Sequence, residues 1–204
     1  MNAIPPSLHY LALGDSYTIG EAVAADRRWP AVLVQRLPAA GVVIDEPQLV
    51  AVTGWTTDEL AQGMDAATLT PPYDLVTLQI GVNNQYRGRP ADDYRQQFAG
   101  LLARAIGLAG GHASHVVVVS IPDWGVTRFA REHGRDATRV ASELDAYNAS
   151  ARDETHRAGA RFVDITGIAR AHPDLVADDG LHPSAAQYAL WVEMMEPVVR
   201  AALH

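Results

Sequence analysis

The sequence predicts a three-layer α/β/α sandwich, with about five parallel strands covered by helices on both sides. Three observations predict it. Short apolar, β-branched runs recur along the chain, and longer stretches with helical apolar spacing separate them. The strongest run, His-Val-Val-Val-Val-Ser at 115–120, is apolar enough to be buried on both faces, as a strand between helix layers must be. Strands joined through helices pair in parallel by right-handed crossovers.

The elements follow in order. Residues 10–13 form a first strand that ends at Gly14. Trp29-Pro30 opens a helix to about Leu37, with Pro30 suited to its first turn. Two β-branched patches, 42–44 and 49–52, are broken by Pro47. A helix starts at Thr57-Asp58-Glu59, capped by Thr56 or Thr57. Residues 74–80 form a third strand. Residues 91–109 read as a long helix, with Phe98, Leu101, Leu102, Ala105 and Ile106 at helical spacing and Gly110-Gly111 as its stop. After the strand at 115–120 come a helix at 138–158, a short strand at 161–164 and a closing helix at 185–203. No repeat or long linker divides the chain, so its 204 residues are expected to form one domain, 1–204.

Composition excludes several classes. Hydrophobic residues make up 48% and charged residues 20%, which is enough to bury a core and excludes a disordered chain. With 16 Lys+Arg against 24 Asp+Glu, the net charge of −8 disfavours nucleic acid and stable association with anionic membranes. The absence of cysteine removes disulfides, thiolate metal sites and a cysteine nucleophile. The first ten residues carry no basic or long apolar leader, and no apolar run reaches the ~18–20 residues of a membrane span. A cytoplasmic protein is therefore expected. Neither a phosphate-binding loop nor a dinucleotide fingerprint is present.

In parallel sheets, ligands bind beyond the carboxyl ends of the strands. Candidate residues should therefore follow strands. Gly14-Asp15-Ser16 follows the first strand, where Ser16 is either a nucleophile or ordinary turn chemistry. Thr53-Gly54-Trp55 follows 49–52, and Gly54 lets a backbone N–H face a ligand. Gly81-Val82-Asn83-Asn84 follows the third strand, and an Asn amide there can donate to a developing oxyanion. Asp179-Gly-Leu-His182-Pro183 precedes the last helix. Its three-residue spacing lets the carboxylate hold the imidazole from behind, although the same segment also reads as a helix cap around Ser184. His112 and His115 lie three apart, but at the opposite edge of the sheet, and read as surface histidines.

Singly these fragments are weak; together, in the order Ser, Gly, Asn, Asp-x-x-His, they are specific. The chain resembles the SGNH hydrolases, or GDSL esterases/lipases, over residues 11–183. The four letters fall on Ser16, Gly54, Asn83 and His182. Asn84 departs from the common Gly-x-Asn-Asp block, which bears on loop geometry and substrate contacts rather than on the oxyanion donor. Trp29-Pro30 and Arg87-Gly88 are similar to features of the bacterial thioesterase/lysophospholipase-like branch.

The resemblance implies a flavodoxin-like sandwich and a serine ester hydrolase working through an acyl-enzyme. Ser16 would be the nucleophile, His182 the acid/base and Asp179 its orienting partner. Asp178 is the nearby competitor, one residue too far in the family spacing. The oxyanion would meet the N–H groups of Ser16 and Gly54 and the Asn83 amide. No metal or cofactor is implied. Tyr17, Trp55, Asn84, Gln85, Tyr86, Arg87, Trp124 and Leu181, adjacent to the motif blocks or to a strand end, are expected to contact substrate. The partner would be a small ester with a short to medium acyl chain. Carbohydrate O-deacetylation and lysophospholipase or thioesterase activity are the alternatives, with a non-catalytic flavodoxin-like binding domain behind them.

Overall fold

The computed structural model describes residues 7–203. Most of the first ten residues, read above for a leader, and His204 lie outside them. The sheet has five strands: β1 (Tyr10–Gly14), β2 (Gln48–Ala51), β3 (Leu75–Gln79), β4 (Val116–Val119) and β5 (Arg161–Val163). All neighbouring pairs are parallel, in the order β2-β1-β3-β4-β5. Every residue of β1, β3 and β4 is buried, including the polar Thr77 and Gln79 of β3, and burial on both faces explains the apolar run of β4.

Nine α-helices accompany the strands among the described residues: α1 (Ser16–Ile19), α2 (Trp29–Arg36), α3 (Thr57–Ala66), α4 (Val82–Tyr86), α5 (Ala91–Leu108), α6 (Arg128–Glu132), α7 (Ala137–Arg157), α8 (Thr166–Ala171) and α9 (Ala185–Ala202). One face is covered by α2 and α9, which pack together; α9 also reaches β4 and β5. The other carries α5 on β3, flanked by α3 and α7. Trp29, Trp191, Tyr188 and Leu33 fill the first interface, and Tyr94, Phe98, Leu101 and Leu144 the second.

This layout fixes where a site can form. The chain leaves β1 toward one edge and later returns past it to build β3, β4 and β5. Crossovers on the two sides of β1 therefore take opposite faces. Loops leaving β1 and β3 diverge and open a crevice at the carboxyl edge.

The structure adds two features that the sequence pattern left open. The patch at 42–44 is not a sheet strand: Ile44 makes a single bridge to Leu8, bounded by hydrogen bonds from Leu8 N–H to Val43 O and from Asp45 N–H to Leu8 O. Its single bridge is to a residue ahead of β1, so no ladder extends along it. The helices α1, α4, α6 and α8 add to those the spacing predicts, because four to six residues make too little of a turn for periodicity to reveal. The cap of α3 is Thr56, whose N–H donates to the Glu59 carboxylate at 2.7 Å.

Candidate active site

Ser16 stands at the start of α1, directly beyond β1. Gly14 must be glycine, because a Cβ there would meet Thr18 Oγ1 at 2.1 Å and the Gln79 carbonyl at 2.6 Å. That close approach brings the ends of β1 and β3 together. Asp15 caps α1 by accepting the Tyr17 N–H at 3.0 Å, which leaves Ser16 on the first helical turn. First-turn N–H groups have no partner within their own helix.

Gly54 has φ +88°, a left-handed conformation suited to glycine, in the turn after β2. Its carbonyl accepts from Arg87 at 2.7 Å. Asn83 lies in the first turn of α4, beyond β3, and its Nδ2 donates to the Trp55 carbonyl at 2.9 Å. An amide NH₂ carries two protons, so this bond fixes Asn83 against the Gly54 turn and leaves a second proton to donate.

The Asp179–His182 segment is the tip of a small hairpin, closed by a bridge between Val176 and Pro183. Within it, Asp179 Oδ1 accepts the N–H groups of Leu181 at 2.8 Å and His182 at 3.0 Å. Asp179 Oδ2 meets His182 Nδ1 at 2.6 Å. The hairpin is anchored from α6: Phe129 N–H donates to the Gly180 carbonyl at 2.9 Å, and Arg128 to the Asp178 carbonyl at 2.7 Å. Tyr17 stands edge-on to the His182 ring at 5.8 Å between centroids. Burial pushes the Asp179 carboxyl upward, but the bond to the His182 ring and the two N–H donors outweigh it and hold it below the usual carboxylate range.

Ser16, Gly54, Asn83 and His182 line one cleft of about 250 Å³. Its apolar wall consists of Tyr17, Val82, Tyr86, Trp124, Phe129 and Leu181. Trp124 is fixed there by a relay: its Nε1 donates to Gln85 Oε1 at 2.8 Å, and Gln85 Nε2 donates to Glu143 at 2.7 Å.

Four residues expected to contact substrate lie elsewhere. Asn84 is buried against α3: it accepts the Thr57 N–H at 3.1 Å and donates to Thr57 Oγ1 at 2.7 Å. Its amide thus serves as both acceptor and donor, a pairing that an ionised Asp cannot offer. Trp55 leans on α3, so close over Gly63 that a Cβ there would meet the indole at 2.1 Å. Arg87 braces the Gly54 turn and pairs with Glu59 at 3.3 Å. Gln85 likewise stays outside the cleft, holding Trp124 from behind. Phe129, Val82 and Thr53 line the cleft and were missed. Asp178 offers its carbonyl to Arg128, while Asp179 holds the imidazole. His112 and His115 lie side by side ahead of β4, with rings 5.1 Å apart, and no group of three or more potential metal ligands gathers among the described residues.

Asp15, at the end of β1, is a buried carboxyl at this edge. Burial, the largest influence, pushes it up to about 7 against the N–H groups of Tyr17, Gly81 and Asp15 itself. The native state then holds a proton that the unfolded chain has released above about pH 4. Stability from this group is full below that pH and is lost as pH rises through about 7. Urea unfolding is expected to show wild type losing roughly 2–3 kcal/mol relative to Asp15→Asn between pH 5 and pH 8. A difference that stays flat across that range would mean that the carboxyl is ionised throughout.

An α/β/α sheet with a serine, a glycine N–H, an asparagine amide and a carboxylate-held histidine at its switch point defines the class of SGNH hydrolases. The chain belongs to the GDSL-like lipase/acylhydrolase family, whose model matches residues 12–190. No curated protein matches the sequence. Solved structures share the fold at low identity. TesA is 17% identical with a TM-score of 0.74, covering 96% of this chain and 99% of its own. The psychrotrophic esterase EstA from Pseudoalteromonas sp. is 17% identical with a TM-score of 0.72, covering 95% and 97%. Axe2, an acetylxylan esterase from Geobacillus stearothermophilus, is 18% identical with a TM-score of 0.71, covering 94% of each chain. Among the described residues, no helix is long and apolar enough to cross a membrane.

Proposed function

We propose that the protein is a serine ester hydrolase that cleaves short- to medium-chain carboxylic esters through an acyl-enzyme. The carrying observation is the 2.6 Å bond between Asp179 and His182 Nδ1, with His182, Ser16, Gly54 and Asn83 lining one cleft. Asp179 fixes the tautomer that leaves Nε2 free to accept a proton. Ser16 Oγ attacks the ester carbonyl carbon as His182 Nε2 takes the hydroxyl proton. The negative oxygen is met by the N–H groups of Ser16 and Gly54 and by the second Asn83 proton. When the C–O bond to the alcohol breaks, His182 returns the proton to the leaving oxygen. Water, deprotonated by the same imidazole, then attacks the acyl-serine, and Ser16 recovers its proton as the acid departs.

The cleft supports the acyl-length reading. At about 250 Å³ it falls just below the ~300–1,000 Å³ of sites for drug-sized ligands, and its wall is mainly apolar. A panel of p-nitrophenyl esters from two to twelve carbons is expected to give kcat/KM that peaks at short or medium length and falls for the longest chains. Turnover that rises steadily to twelve carbons would refute this reading and favour a lipid-like substrate. A preference confined to acetyl, with release from acetylated oligosaccharides, would favour the deacetylase reading instead.

A further inference from the structure

A cation that the proposed chemistry does not use lies against two aromatic residues of the cleft wall. Arg135 lies in the segment between α6 and α7. Its guanidinium carbon sits 4.9 Å from the centroid of the Tyr86 ring and 5.9 Å from that of Trp124, and both rings line the cleft. One of its N–H groups donates to the Tyr86 hydroxyl at 3.1 Å. Cation–π contact with two rings and one hydrogen bond hold the guanidinium beside Tyr86, which is itself 44% exposed.

No carboxylate pairs with Arg135 among the described residues, although carboxylates lie nearby in the chain. Asp136, next in the chain, accepts the Arg139 N–H at 3.1 Å as the cap of α7. Glu143 is taken by Gln85 and lies 3.7 Å from Arg139. Elsewhere, Arg87, Arg89, Arg95, Arg104, Arg157 and Arg170 each pair with a carboxylate. Arg135 therefore presents remaining N–H donors beside two rings that line an apolar cleft, in a chain of net charge −8.

Resting on the ester-hydrolase reading, we propose that Arg135 recognises a carboxylate at the far end of the substrate, so that the preferred esters carry a terminal carboxylate beyond the apolar chain that lies along Tyr86 and Trp124. A guanidinium edge matches a carboxylate in a two-point, charge-assisted arrangement. A doubly charged phosphate would meet more repulsion from a chain whose net charge is −8.

Two substrate pairs test this, one for each side of the ester. On the acyl side, mono-p-nitrophenyl adipate is compared with p-nitrophenyl hexanoate. On the alcohol side, 4-carboxyphenyl butyrate is compared with phenyl butyrate. The reading is the ratio of kcat/KM for the charged over the neutral member, in wild type and in Arg135→Met, which keeps an apolar stem over the rings. In at least one pair the ratio is expected to fall about tenfold in the variant. The wild-type ratio for that pair should also decline as sodium chloride is raised. If both members fall in parallel in both pairs, Arg135 only braces Tyr86 and the inference is overturned. Turnover of neutral esters with an unmoved ratio leaves the ester-hydrolase reading standing. Turnover of neither member removes that reading, and this inference with it.

Discussion

Replacing Ser16 with alanine is expected to lower kcat for p-nitrophenyl butyrate by at least about 10⁴-fold, to the level that the oxyanion donors and binding alone can sustain. The fold should survive the change. Ser16 Oγ makes no hydrogen bond to another described residue, so its removal leaves no buried partner unsatisfied. The backbone N–H at position 16 remains, and α1 keeps its Asp15 cap. Circular dichroism and the urea midpoint should match wild type, which separates loss of chemistry from loss of structure. A phosphonate or sulfonyl fluoride should label wild type once, on the Ser16 peptide, and the variant not at all. Activity within tenfold of wild type would remove Ser16 as the nucleophile and the proposed mechanism with it.

The parts of this site that could be read from the chain are those whose position depends on the backbone alone. Ser16, Gly54 and Asn83 follow strands, and in a parallel sheet strand ends converge on one edge. Asp179 and His182 are close in sequence, so their contact needs only a local turn. Substrate-facing residues depend instead on which way each side chain points. Segment 82–86 shows the difference. Adjacency to the motif suggested Asn84, Gln85, Tyr86 and Arg87 together, but the segment is a helix, and its neighbours diverge. Asn83 and Tyr86, three apart, share the cleft face; Asn84 turns to α3 and Gln85 to Trp124. Had one helical turn been assigned there, the three-residue rule would have favoured Tyr86 over its neighbours. Phe129 offered no such clue. It sits in a five-residue helix with no motif nearby, and a backbone bond to the distant Gly180 brings it to the cleft.

Changing Asp179 to asparagine is expected to lower kcat by about 10⁴-fold with little change in KM. The substitution is nearly isosteric, and the turn can keep its hydrogen bonds. In Asp179→Asn the side-chain amide oxygen can still accept the N–H groups of Leu181 and His182, which Asp179 holds at 2.8 and 3.0 Å. What changes is the atom that faces His182 Nδ1. There Oδ2 accepts a proton at 2.6 Å; an amide NH₂ in its place donates one. The imidazole must then offer its Nδ1 lone pair and carry its proton on Nε2. In that tautomer, Nε2 cannot take the proton of Ser16. Alanine at this position would be a poorer test, since it also frees the two N–H groups that shape the hairpin. A second readout distinguishes orientation from general damage. Residues that act as one unit lose activity only once, so Ser16→Ala added to Asp179→Asn should lower kcat far less than the product of the two single effects. If Asp179→Asn kept kcat within tenfold of wild type, or if the two effects multiplied, Asp179 would not be orienting His182 for proton transfer, and the 2.6 Å contact would serve only to hold the hairpin.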